Sequence, residues 1–140
     1  MAAQGIGVVS GVTVQVHVGD LAAGIRFYST LLGRGPDVAP HEDFKEWELS
    51  PGAWLQLAEG GGPLPHPLRL GVDDLHRSRK AVLALGVACQ EPEYIPGLAA
   101  WCDFTDPWGN RLGLFQDLAG QSGPAEPGSS VHDASLRHPF

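Results

Sequence analysis

Apolar and polar side chains alternate with a period of two through residues 12–18. Val12, Val14, Val16 and Val18 fall on one side, and Thr13, Gln15 and His17 on the other. Successive side chains of a strand point to opposite faces, so this predicts a strand with one covered face. The period then changes. Leu21, Ile25, Tyr28 and Leu32 follow at spacings of four, three and four, the apolar stripe of a helix. Asp20 stands where a short carboxylate accepts from the exposed N–H groups of the first turn. Gly33 stands where the left-handed residue after a helix is expected. The pattern returns in the second half. Leu68, Leu70 and Val72 oppose Pro67, Arg69 and Gly71, and a second helix carries Leu75, Val82 and Leu85 behind Asp74, ending at Gly86. Its outer face, with His76, Arg77, Arg79 and Lys80, reads as a solvated surface.

An internal repeat underlies this. Val18-Gly19-Asp20-Leu21 recurs as Val72-Asp73-Asp74-Leu75, and each copy links a short strand to a helix. After the first helix, strands are predicted over 36–41, 45–49 and 53–58, the last two joined by the turn Ser50-Pro51-Gly52. After the second, 88–94, 99–105 and 111–116 match them in order. Each half is therefore strand, helix, three strands, an α+β class. The predicted organisation is an N-terminal extension over 1–10, a first βαβββ module over 11–59 and a Gly- and Pro-rich linker over 60–66. A second module over 67–118 and a flexible tail over 119–140, rich in Gly, Ser and Pro, complete it.

Two such modules, with Val18-Gly19-Asp20-Leu21, Phe27-Tyr28, Leu31-Leu32-Gly33, Val72-Asp73-Asp74-Leu75 and Leu83-Ala84-Leu85-Gly86, resemble the vicinal oxygen chelate superfamily, the glyoxalase/bleomycin resistance protein/dioxygenase family. The strongest word is Phe104-Thr105-Asp106-Pro107-Trp108-Gly109-Asn110-Arg111, in which Asp-Pro opens a tight turn and Gly-Asn closes it. The resemblance spans residues 11–118 and implies the glyoxalase/bleomycin-resistance fold. In that fold two curled mixed sheets form a central cup, with the helices outside and the ligand within. It also implies a homodimer.

By strand parity, Thr13, Gln15, His17, Trp54, Gln56, Arg69, Trp101, Asp103, Arg111, Gly113 and Phe115 face the cup. Metal-dependent relatives hold one divalent ion there with four side chains. The resemblance puts those positions at Thr13, Gln56, Pro67 and Gly113, of which Gln56 alone offers a useful donor. No metal and no cofactor are therefore expected. The expected ligand-binding set is Thr13, His17, Trp54, Gln56, Arg69, Trp101, Asp103, Arg111 and Phe115, with no catalytic residue assigned. Indole rings offer stacking area at low entropy cost. Arg69 and Arg111 could hold a carboxylate, or could neutralise Asp103 and its neighbours. A cup of this kind resembles the antibiotic-binding branch, whose members sequester planar drugs without chemistry. Three readings follow: a metal-independent binder of an aromatic drug or metabolite; a metal-dependent lyase, isomerase or extradiol-type dioxygenase; and a non-catalytic structural or regulatory dimer.

Composition narrows the setting. The formal net charge of −7 argues against nucleic acid and anionic membrane partners, which need basic patches. No unbroken apolar run approaches ~18 residues, and the first ten residues carry no positive charge, so a cytoplasmic protein is expected. Cys89 and Cys102 lie in different predicted strands and read as reduced structural thiols.

Overall fold

The computed structural model describes residues 5–41 and 44–119. The chain divides into two compact units, Met1–Pro63 and Leu64–Phe140. The predicted tail lies outside the described residues beyond Ala119. Among the described residues no helix is long and apolar enough to cross a membrane.

In the first unit, strand β1 (Val12–Val18) leads into helix α1 (Leu21–Leu32), followed by β2 (Val38–His41), β3 (Phe44–Ser50) and β4 (Ala53–Glu59). The sheet order is β1-β4-β3-β2, with β1 parallel to β4 and the other pairs antiparallel. The local signals act as read. Asp20 accepts from the Ala23 N–H, and Gly33 closes α1 in the left-handed conformation. The predicted strand over 36–41 starts later, at Val38; Pro36 has no N–H for a ladder, and the Asp37 N–H donates to the Glu46 carbonyl at the strand's entry.

The core of this unit is Val16, Val18, Tyr28, Trp47, Leu55 and Leu57, all buried. Helix and sheet approach closely at Gly24, where an added Cβ would lie 2.8 Å from Val18 Cγ2 and 3.1 Å from Leu57 Cδ2. The apolar side of β1 is covered only toward that end, and Val12 is 63% exposed. Trp47 packs against Tyr28, with ring centroids 6.4 Å apart, and its indole N–H donates to the Arg34 carbonyl. It is a core residue, which satisfies its one polar atom internally.

The second unit repeats the plan with β5 (Leu68–Gly71), α2 (Leu75–Ala84), β6 (Glu93–Ile95), β7 (Ala99–Thr105) and β8 (Arg111–Asp117). Its order is β5-β8-β7-β6, again with the first strand parallel to the last. Asp74 caps α2 by accepting from the Arg77 N–H. The core gathers Leu75, Val82, Cys102, Phe104, Leu112 and Leu114. One predicted strand is broken. Residues 88–94 reduce to an isolated bridge from Cys89 to Phe104 and the short β6. Pro92 lies between them and cannot donate to a ladder.

The hairpin before β8 is held by side chains as well as by its turn. Asp106 Oδ1 accepts from the backbone N–H groups of Trp108 and Asn110, and its Oδ2 accepts from the Asn110 amide. Asn110 Oδ1 in turn accepts from the Leu64 N–H at 2.8 Å. Asp106 and Asn110 are both buried, so these bonds satisfy groups that water cannot reach.

Candidate functional site

The registers fix which side chains share the face turned away from each helix. In the first unit Thr13 pairs with Trp54, and Gln15 with Gln56, along β1 and β4. Glu46 and Glu48 of β3 lie opposite Gln56 and Trp54. A polar row crosses this face. Gln15 Nε2 donates to Gln56 Oε1, and Gln56 Nε2 donates to Glu46 Oε1 at 2.6 Å. His17 lies further along β1, its imidazole against the backbone of Gly61, where a Cβ would come within 2.7 Å of the ring. Of the expected ligand-binding residues, this unit therefore brings together Thr13, His17, Trp54 and Gln56. Glu46 joins them. The sequence signal for it was its parity, one residue before the buried Trp47.

In the second unit the corresponding face carries Arg69, Trp101, Asp103, Arg111 and Phe115. Trp101 pairs with Phe115, Asp103 with Gly113, and Arg69 with Gly113 from the other side. Arg69 Nε and Nη2 donate to the two carboxylate oxygens of Asp103 at 2.8 and 2.7 Å, a bidentate ion pair with side chains 17% and 15% exposed. The pair lies over Gly113. A Cβ there would fall 2.2 Å from Asp103 Oδ1 and 2.8 Å from Arg69 Cγ. Neutralisation of Asp103 is thus the work of Arg69. Arg111 is exposed, and its Nη1 donates to the Pro65 carbonyl at 3.2 Å.

An open cavity of about 420 Å³ lies beside this face, lined by Ala88, Cys89, Gln90, Asp103, Phe104, Thr105 and Arg111. The lining joins two expected residues, Asp103 and Arg111, to a wall from 88–90 that the sequence did not point to. Gln90 was readable only as part of a predicted strand. Its side chain accepts from the Asp103 N–H, and its backbone N–H donates to the Asp103 carbonyl.

Taken unit by unit, the four positions that the resemblance implies for a divalent ion offer poor ligands. Thr13 offers a neutral hydroxyl on an exposed stretch. Both ends of the Gln56 amide are engaged across the sheet. Pro67 has no donor atom, and the space above Gly113 is filled by the Arg69–Asp103 pair. Among the described residues no group of three or more His, Cys, Asp or Glu side chains could hold a metal ion.

No protein-family model matches the chain, and no curated protein does. Solved structures match over most of its length. A glyoxalase/bleomycin resistance protein from Catenulispora acidiphila is 27% identical, with 76% of this chain and 96% of that one covered and a TM-score of 0.63. One from Albidiferax ferrireducens is 20% identical, with 74% and 95% covered and a TM-score of 0.62. The fosfomycin resistance protein FosX from Listeria monocytogenes, complexed with Mn(II) and a dihydroxypropylphosphonic acid, is 17% identical, with 78% and 89% covered and a TM-score of 0.61.

Proposed function

The chain belongs to the vicinal oxygen chelate superfamily and has its glyoxalase/bleomycin-resistance fold, and from that premise we propose that it is a metal-independent binding protein for a planar or partly aromatic small molecule. The observation that carries this reading is the Arg69–Asp103 pair seated over Gly113. Where a metal-dependent relative extends a ligating side chain, this chain has none, and the vacated volume is used by an internally neutralised pair. Binding then rests on shape, stacking and hydrogen bonds. Trp101 with Phe115 supplies aromatic surface on the sheet face of the second unit. Gln90, Thr105 and Arg111 supply polar groups at the cavity wall. The same reading takes the protein to be a cytoplasmic homodimer that binds neither nucleic acid nor membrane.

The test is a titration of the protein with a panel of aromatic metabolites and drugs, followed by tryptophan fluorescence and calorimetry, with and without a chelator. Saturable binding indifferent to the chelator is expected. Trp101→Ala should weaken it by about 2 kcal/mol, as truncation of an aromatic anchor does. Silence across the panel, or unaltered affinity in Trp101→Ala, refutes the proposal.

A second reading is favoured by one finding, the Mn(II) in the FosX complex. On that reading the chain is a metal-dependent enzyme of the same superfamily, in which the ion polarises substrate oxygens. Elemental analysis of the purified protein decides between them, because stoichiometric divalent metal would replace the first reading with the second.

A further inference from the structure

Two thiols touch inside the second unit. Cys89 Sγ lies 3.7 Å from Cys102 Sγ, and both cysteines are free. Cys102 sits within β7, while Cys89 belongs to the stretch before β6 that bridges to Phe104. That stretch is firmly held. The Gln90 N–H donates to the Asp103 carbonyl, and the Asp103 N–H donates to Gln90 Oε1. From α2, the Arg79 guanidinium donates to the carbonyls of Gln90 at 2.8 Å and Cys89 at 2.9 Å. The two sulfurs are therefore kept close by four bonds among three segments. To join, they need to approach by about 1.7 Å, the difference from a normal S–S length.

The partners are unequal. Cys102 is fully buried, whereas Cys89 is half-buried and lines the 420 Å³ cavity. A peroxide reaches Cys89 first. Burial, with the Cys89 thiol beside it, pushes the Cys102 thiol up to about 12, so it stays protonated at neutral pH and does not compete for the oxidant. The Arg79 charge favours the Cys102 thiolate once it forms.

We propose that Cys89 and Cys102 are a peroxide-responsive thiol pair that closes to an intramolecular disulfide, with Cys89 as the attacking sulfur and Cys102 as the resolving one. In the first step the Cys89 thiolate attacks one peroxide oxygen, and the O–O bond breaks. Cys89 becomes a sulfenic acid, and the second oxygen leaves as hydroxide that is protonated to water. In the second step the Cys102 sulfur attacks the Cys89 sulfur and expels hydroxide, which takes up the Cys102 proton as water. Two thiols and one hydrogen peroxide thus give one disulfide and two waters. The cross-link ties the 88–90 wall covalently to β7, so the oxidised protein carries an altered cavity.

The experiment treats the full chain with hydrogen peroxide, quenches with an alkylating agent and maps peptides without reduction. The expected product is a single-chain species in which the Cys89 and Cys102 peptides are linked, lighter by two hydrogens and restored by dithiothreitol. Cys102→Ser should instead drive Cys89 to the sulfinic acid, and Cys89→Ser should leave Cys102 as a thiol at the same dose. The proposal is overturned if the wild-type chain yields over-oxidised Cys89 without the link, a disulfide between chains, or two intact thiols under conditions that oxidise free cysteine. The wild-type mapping decides by itself if a variant fails to fold.

Discussion

Alanine at position 113 is the most direct probe of how the second unit uses its missing side chain. Real Cβ atoms essentially never approach another atom under 3.0 Å, and a Cβ on Gly113 would sit 2.2 Å from Asp103 Oδ1. The carboxylate must therefore retreat by about 0.8 Å, the difference between those distances. Added to bonds of 2.8 and 2.7 Å from Arg69, that displacement takes both to the limit of hydrogen bonding or beyond. The groups are largely covered, at 17% and 15% exposure, so water replaces the lost bonds only in part. A charge-assisted hydrogen bond in such a place contributes ~1.5–3 kcal/mol, and overpacking costs ~1–3 kcal/mol. Gly113→Ala should accordingly lower stability by about 2–4 kcal/mol, measured by urea unfolding with tryptophan fluorescence and circular dichroism. The discriminating step is to repeat the substitution in an Asp103→Ala background. There the nearest remaining neighbour is the flexible stem of Arg69, and the cost should fall below ~1 kcal/mol. An equal loss in both backgrounds would show that Gly113 serves the backbone rather than the ion pair, and the account of the site would fail with it.

Other outcomes follow from single contacts. Asn110→Ala removes the acceptor of the Leu64 N–H and a donor to Asp106 inside a buried turn, and should cost ~2–4 kcal/mol in the same unfolding assay. Gly24→Ala gains ~1 kcal/mol of helix propensity but forces a Cβ to 2.8 Å from Val18, so a net loss of ~1–2 kcal/mol is expected, and a gain would mean that α1 can lift freely from the sheet. Alkaline stability should track Cys102. Its folded value of about 12 lies above the ordinary thiol value of 9.0, so the folded chain holds a proton that the unfolded chain gives up. That contribution is intact below pH 9 and lost as pH rises from there toward 12, and Cys102→Val should show a shallower decline in equilibrium unfolding across that window.

What the sequence determined by itself is what acts over a few residues. The valine alternation of β1, the Asp20 and Asp74 caps and the Gly33 terminator each depend on backbone geometry within one turn or one pleat, and the structure shows them doing what their spacing implies. The repeat of these words predicted two βαβββ modules, and the family resemblance they carry, together with the hairpin word over 104–111, implied the fold. Strand parity also sorted Thr13, Gln15, His17 and Gln56 from the core valines, because a pleat reverses at every residue. Where a local rule was missed, as with Pro92 inside the strand expected over 88–94, the residue that breaks the ladder was in plain view.

Tertiary structure alone decided which of these faces' members meet. Arg69 finds Asp103 because β5 and β7 both flank β8, and their shared neighbour there is a glycine with no side chain to keep them apart. Gln56 is engaged by Gln15 and Glu46 from the two strands that flank β4. The cavity wall at 88–90 and the contact of Cys89 with Cys102 arise from an irregular stretch clamped by Arg79 of a helix. Each of these contacts joins different segments of the fold. Alternation along one strand says which way a side chain points, but it carries no information on the register of another strand laid beside it, and that register is set only when the whole sheet closes against its helix.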